Sequence, residues 1–296
     1  MDKDNLFIYQ LQPEDEGKRF ENLLARRFHF SRKVLQKIKI GQNVWVDGKF
    51  VYLNTRGQAG QTLVVKVSED EDSTIVGENL PIDIIYEDSL FLAVNKPPGQ
   101  VVHPNSLYKS GTLANAVVGY WESKGESRPF RPVSRIDRNT SGIVLIAKSR
   151  YAHQQLARVS VKNQVEKKYL GVVGGSFPLD KGVFDSPIGV QPGSKIVREI
   201  HPQGQLALTL FETIQRFSDY TLMMFILITG RTHQIRVHCQ HSGYPLLGDE
   251  LYGGDMRYIA RQALHCHSYS FVNPLSGKNI TIKAPLPEDM QSLLDV

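Results

Sequence analysis

The sequence predicts an α+β fold in two unequal parts, and three observations carry that expectation. Residues 17–66 concentrate eleven lysines and arginines against two acids, with apolar residues first at helical and then at strand spacing. Residues 67–90 then hold eight acids and no base. From there to the C-terminus, short apolar runs alternate with Gly, Pro and Asn punctuation, with fewer helical stretches between them. We therefore expect a small helix-helix-β domain over 1–67, an acidic linker over 68–81 and a larger domain over 82–296. A chain of 296 residues, 41% hydrophobic and 9% aromatic, can bury the cores this requires.

In the first part, Phe20, Leu23, Leu24 and Phe28 recur at helical spacing within 17–30, while Lys18, Arg19, Arg26 and Arg27 supply charge around them. Ser31 suits the cap of a second helix through Val34, Leu35 and Ile38, with Arg32, Lys33, Lys37 and Lys39 outward and Gly41 at its end. Strands follow at 44–46 and 50–52 around the Asp47-Gly48 turn, and again at 63–65. A basic face of this kind suits phosphate contact, and a merely solvated surface would carry the same charges. Ser68 to Asn79 lacks periodicity and reads as linker.

The larger part opens with strands at 82–86 and 90–94, followed by Asn95 to Pro104, NKPPGQVVHP, whose Pro97-Pro98-Gly99 is a rigid turn. The run Ser134 to Gly142, SRIDRNTSG, places Asp137 between Arg135 and Arg138 and turns into the apolar strand Ile143 to Ala147. An acid flanked by fixed positive charge stays ionised, and a Gly-ended turn before a buried strand can hold it in one orientation. Those features describe a nucleophile or base, and equally a surface ion pair at the head of a strand.

Tyr151 to Val161 fits a helix with Ala152, Leu156 and Val159 inward, and Lys167-Lys168-Tyr169 leads into a strand over 170–173. Phe177 to Gly193 is Gly- and Pro-rich and reads as a surface loop, with strands beyond it at 207–211 and 220–229. In Gly230 to His238, GRTHQIRVH, Thr232 suits a helix cap, with Ile235 and Cys239 inward and Arg231 and Arg236 near the polar edge. Ser242 to Gly254, SGYPLLGDELYGG, continues it, and Arg261 to Lys278 is a strand and turn closed by 280–284.

No disulfide framework is expected from Cys239 and Cys266 alone, and neither a signal peptide nor an apolar run long enough for a membrane span is evident. We expect a cytoplasmic protein. The His and Cys residues at 238–241 and 265–267 point in different directions on a helix and a strand, so no metal is expected. No second acid motif completes a protease dyad, and neither the GxxxxGK[ST] nor the GxGxxG phosphate motif occurs.

The run SRIDRNTSG resembles the Arg-Leu-Asp-x-x-Thr-Ser-Gly signature of the RluA-type RNA pseudouridine synthases, with Ile136 in the leucine position. The segments NKPPGQVVHP, KKY, GRTHQIRVH with SGYPLLGDELYGG, and RQALHCHSYSFVNPLSGK resemble the same family in the same order, across almost the whole chain. The first part is similar to the RNA-binding domain known from ribosomal protein S4. The resemblance implies a catalytic domain with a mixed, mostly antiparallel sheet, flanked by helices and loops around a central cleft, and isomerisation of uridine in RNA without any cofactor. It implies Asp137 as nucleophile or acid-base group, Arg231 as the cation that fixes it with Arg236 as second choice, and Tyr169 against the extruded base. Leu145 and Ile228 are candidate walls. Arg135 and Arg236, with Lys18, Arg19, Arg32, Lys33, Lys37 and Lys39, would contact RNA.

Ser134 and Asn139 depart from the His and Asp frequent in that family, which bears on substrate choice and loop geometry. The implied partner is RNA, large-subunit ribosomal RNA ahead of transfer RNA, acted on by a monomer. Two other readings fit part of the pattern: a non-catalytic RNA-binding or ribosome-assembly protein, and a hydrolase that cleaves N-glycosidic bonds.

Overall fold

Alternation of buried and exposed side chains arranges the chain into two principal sheets in the computed structural model, which describes residues 6–30, 32–66, 75–161 and 165–295. The first sheet holds β1 (Leu6–Gln10), β2 (Val44–Val46), β3 (Lys49–Phe50) and β4 (Thr62–Lys66) in the order β1-β4-β2-β3, all antiparallel. Asp47 and Gly48 both take positive φ in the β2–β3 turn, the conformation for which an Asp-Gly pair is suited. Strand β1 has no counterpart among the elements expected from the sequence.

Against this sheet lie two short helices, α1 (Phe20–Asn22) and α2 (Arg32–Ile40). The single helix expected over 17–30 is shorter: Gly17 has a left-handed backbone, and after Asn22 the chain widens into a π turn over Leu23–Arg27. The wider turn lets Phe28 stay buried while Arg27 reaches the buried Asp15 at 2.6 Å. Lys18, Arg19, Arg32 and Lys39 are exposed, Lys37 is half-buried, and Lys18 lies 3.6 Å from Asp15. The expected Ser31 cap, the Lys33 side chain and residues 68–74 of the linker lie outside the described residues.

The second sheet runs through β5 (Ile84–Glu87), β6 (Phe91–Lys96), β7 (Arg131–Pro132), β8 (Ser141–Ala147), β9 (Val165–Gly174), β10 (Lys181–Asp185), β13 (Leu208–Arg216), β14 (Tyr220–Leu227), β15 (Leu264–Val272) and β16 (Asn279–Lys283); between β10 and β13, β11 (Ile188–Val190) and β12 (Arg198–Ile200) form a separate hairpin. Its main order is β10-β13-β14-β9-β15-β8-β6-β5, and β15–β8 is the parallel pair in an otherwise antiparallel set. Thus 177–193, read as a surface loop, contributes β10 at the sheet edge and β11 of the hairpin. Its alternation of exposed and half-buried residues hides among Gly and Pro.

Helices α3 (Leu113–Ser123), α4 (Arg150–Val161), α5 (Gln234–His241) and α6 (Glu288–Gln291) complete this part. The first of them is capped by Thr112 and Asn115, whose side chains bond each other's ends of the turn. The two parts meet through aromatics: Phe7 and Phe30 pack on Tyr151 of α4 with ring centroids 5.2 and 4.6 Å apart, and Gln155 donates to the Phe28 carbonyl at 2.7 Å. Among the described residues no helix is long and apolar enough to cross a membrane.

At the centre, β8 is buried along its whole length and holds the loop 134–142 at its N-terminal end. Where β8 meets β15, His265 pairs with Ser141 and Cys266 with Gly142. Gly142 has φ +105, and a Cβ there would collide with the Cys266 backbone, so the final Gly of the signature is required by sheet closure itself.

Candidate active site

The loop that carries Asp137 is fastened from beneath by two buried basic side chains. Lys96, with no exposed surface, donates from Nζ to the carbonyls of Pro97 at 2.7 Å and Arg138 at 3.0 Å. Arg261 donates from Nη1 to the Asn139 carbonyl at 3.1 Å, while its Nε and Nη2 bind Asp289 at 2.6 and 2.8 Å. Ser141 Oγ lies 3.0 Å from His265 Nδ1, and Gln262 donates to Thr140 Oγ1 at 3.2 Å. Arg138, pointing the other way, binds the Gly99 carbonyl and the Tyr108 hydroxyl. The turn is thereby rigid on the protein side, and Asp137 projects from it with its side chain 26% exposed.

Helix α5 supplies the counter-charge. Arg236 donates from Nη1 to Asp137 Oδ2 at 2.9 Å, and from Nε and Nη2 to the two oxygens of Asp249 at 2.7 and 2.8 Å. Its guanidinium carbon also lies 4.9 Å from the centre of the Tyr252 ring. Asp249 is 1% exposed and belongs to the GDELYGG turn, so that turn aims Arg236 while Arg236 aims Asp137. Burial opposes the charge on Arg236, but Asp249 and then Asp137 more than offset it and hold the guanidinium above its ordinary pKa.

The cation expected to do this was Arg231; the structure gives the task to Arg236 instead. Arg231 is exposed and donates from Nε to the Leu206 carbonyl at 3.0 Å. The helix also starts later than expected: its N-cap is His233 in the left-handed conformation, not Thr232, and the displaced start turns Arg236 inward. Enclosed between two carboxylates, Arg236 is likewise withdrawn from the RNA-contact role considered for it.

Tyr169, at the centre of β9 beside Cys266 of β15, is buried; burial first, then the Cys266 thiol and the Asp137 charge, push its phenol well above its ordinary pKa. It is a neutral ring that feels the charge of the carboxylate. Lys96 is pushed the other way, down to about 7, by burial and then by the charge of Arg261, with Asp137 pulling it up. His233 Nε2 lies 3.8 Å from Asp137 Oδ2, and burial pushes this imidazole below its ordinary pKa against the pull of Asp137.

Of the remaining expectations, Arg135 is exposed at the start of the loop, Ile228 is half exposed, and Leu145 is sealed in the core and cannot line a cleft. His238 lies between Thr209 Oγ1 and the Ser186 carbonyl, and His265 and His267 both contact the Ala284 carbonyl. Lys96, Arg261, Asp249, Tyr252 and His233 are given no role by the sequence, although all five sit in the segments quoted for the resemblance.

A partly open carboxylate, one oxygen of it fixed by a cation that cannot move, beside a neutral aromatic ring, is suited to stabilising positive charge on a sugar carbon or attacking it. Comparison with known proteins gives the family and the fold. The family model described as RNA pseudouridylate synthase matches residues 90–241. The chain is 40% identical over 272 residues to the uncharacterized RNA pseudouridine synthase YjbO of Bacillus subtilis, covering 91% of this chain and 96% of that protein. It is 35% identical to ribosomal large subunit pseudouridine synthase D of Buchnera aphidicola, covering 94% and 93%. The solved human RNA Pseudouridylate Synthase Domain Containing 1 shares the fold, with a TM-score of 0.58 at 24% identity over 71% of this chain and 86% of that one.

Proposed function

The chain belongs to the RNA pseudouridylate synthase family and is an isomerase acting on RNA, and from that premise we propose both its target and the residues that do the work. The target is a uridine of structured RNA, large-subunit ribosomal RNA ahead of transfer RNA, in the cytoplasm, with the protein acting as a monomer. The relatives named for the large ribosomal subunit support that order.

Asp137 is the reacting group. As the N1–C1′ bond of the flipped uridine breaks, positive charge develops on the ribose, and the carboxylate held by Arg236 stabilises it or bonds to it. The freed uracil turns, its C5 bonds to C1′, the C5 proton leaves and N1 gains one, so the mass is unchanged. Tyr169 gives the base a neutral surface to stack on during that turn. Extruding the base costs a few kcal/mol, which phosphate contacts can offset. Arg135 and Arg231, exposed on either side of Asp137 in sequence, together with Lys18, Arg19, Arg32 and Lys39 of an S4-like module over 1–67, supply those contacts.

The observation that carries this reading is the Asp137–Arg236–Asp249 chain of charge-assisted bonds, which fixes a carboxylate at a partly open position. Its test is Asp137→Asn on ribosomal RNA carrying tritium at uridine C5. Tritium release should fall by at least about a hundredfold while RNA binding is retained. Release near the wild-type rate would remove Asp137 from the mechanism. Abasic sites with the tritium retained on free uracil would mean hydrolysis, and chemical mapping of pseudouridines in cells with and without the gene identifies the target.

A further inference from the structure

Both Arg236 Nη1 and His233 Nε2 approach the same oxygen of Asp137, Oδ2, at 2.9 and 3.8 Å. The position of that imidazole is unusual for a helix start. His233 is the N-cap of α5, where Ser, Thr, Asp or Asn would bond the first free N–H groups, yet its side chain makes no cap bond. Its backbone is left-handed, φ 59, a conformation few residues other than glycine adopt, though histidine tolerates it better than most. The chain bears that local strain, and the strain turns the ring toward Asp137 instead of along the helix.

The far side of the ring meets Tyr252, whose hydroxyl lies 2.9 Å from His233 Nδ1 and accepts the backbone N–H of Arg198 in β12 at 3.0 Å. A phenol has one proton to donate. The Arg198 N–H fills one acceptor position of the oxygen, and donating its proton to Nδ1 gives the hydroxyl a bond in each sense. An Nδ1 that accepts leaves the single proton of the neutral ring on Nε2, toward the carboxylate. Asp137, Asp249, Arg236 and Arg198 are the charged groups that act on this imidazole, two of each sign, and burial favours its neutral form.

We propose that His233 is a positioning residue for Asp137: Tyr252 locks it as the Nε2–H tautomer, and with Arg236 it secures Oδ2, so that Oδ1 is the oxygen presented to the ribose. The gap of 3.8 Å closes to a hydrogen bond when substrate excludes water from the cleft. This rests on Asp137 being the reacting group. It adds that the hairpin β11–β12, through the Arg198 N–H and Tyr252, is part of the site.

Two-bond 1H–15N correlation spectra of the full protein, with the signal assigned by its absence from His233→Gln, read the tautomer directly. The wild type should show His233 as Nε2–H, and Tyr252→Phe should release it to a mixture. In turnover, His233→Phe should lower kcat roughly tenfold to a hundredfold, the worth of one hydrogen bond to a charged group, with KM little changed. His233→Gln, which still carries an N–H, should recover part of that loss. An Nδ1–H tautomer in the wild type overturns the proposal, as does a Tyr252→Phe protein with an unchanged tautomer. Because the tautomer is read without substrate, these results stand apart from the fate of Asp137→Asn: an active Asp137→Asn would remove the reading of Asp137 while leaving the imidazole measurement intact. If His233→Phe does not fold, the tautomer and kcat of Tyr252→Phe decide the matter.

Discussion

Replacing Arg236 by methionine separates what this residue does for folding from what it does for turnover. The change leaves Asp249, 1% exposed, as a buried carboxylate without the two bonds it now accepts. Breaking a buried pair on one side costs about 3–5 kcal/mol, which for a chain of this size is a fall in Tm of roughly 6–15 °C. The methionine keeps an aliphatic side chain against Tyr252, so packing loss is a minor part of that figure. Asp137 would lose its counter-charge at the same time, and kcat should drop by roughly a hundredfold to a thousandfold.

The pair Arg236→Met with Asp249→Leu is the decisive comparison. With both charges replaced by apolar groups, most of the lost Tm should return, while kcat should stay at the level of the single variant. Calorimetry and tritium release on the three proteins make the test. A single variant that melts with the wild type would refute the account of a buried, mutually dependent pair. A double variant that regains turnover would show that the guanidinium is not what holds Asp137.

The buried amine of Lys96 makes a pH prediction. Its folded-state value, about 7, lies below the ordinary 10.5, so between those limits the unfolded chain holds the proton that the folded chain has released, and stability rises with pH. Relative to Lys96→Met, the wild type should therefore gain Tm from pH 7 to 9.5, and parallel melting profiles would contradict a neutral amine at that position. On the exposed basic face, Arg19, Arg32 and Lys39 changed together to glutamine should lower the slope of log Kd against log salt by about 2 to 3 for RNA binding. An unchanged slope would remove that face from the interface. The triple change is a better probe than deleting the module, because Phe7 and Phe30 cover Tyr151 and their loss would uncover an apolar patch.

How far the site can be read from sequence depends on which residues look like what they are. The loop of Asp137 is legible as a Gly-ended turn before a wholly apolar strand, but that pattern suits a surface ion pair equally, and only the family resemblance singles the aspartate out. Its partner is not legible: Arg231 and Arg236 are both arginines on one segment, and only the left-handed turn at His233 decides which of them faces inward. Lys96, Asp249 and Arg261 are buried ionisable groups, and a buried one is written with the same letter as a solvated one. The helix α3 escaped notice because LANAVVGYWES is apolar nearly all round and shows little periodicity, although Thr112 and Asn115 mark its start. Conversely, the helix over 150–161 and the turn at Asp47-Gly48 follow from spacing and turn chemistry alone, and the structure has both.

The two-residue seam between β8 and β15 joins positions 124 apart in the chain, and the Asp137–Arg236 bond spans 99. Loops of that length close slowly, after hairpins such as β13–β14 have formed. During refolding, then, the spectroscopic signal of sheet should return well before any catalytic competence does. A nascent chain released before Leu264 is made would hold the signature aspartate and its arginine, yet lack the strand beside which they are set.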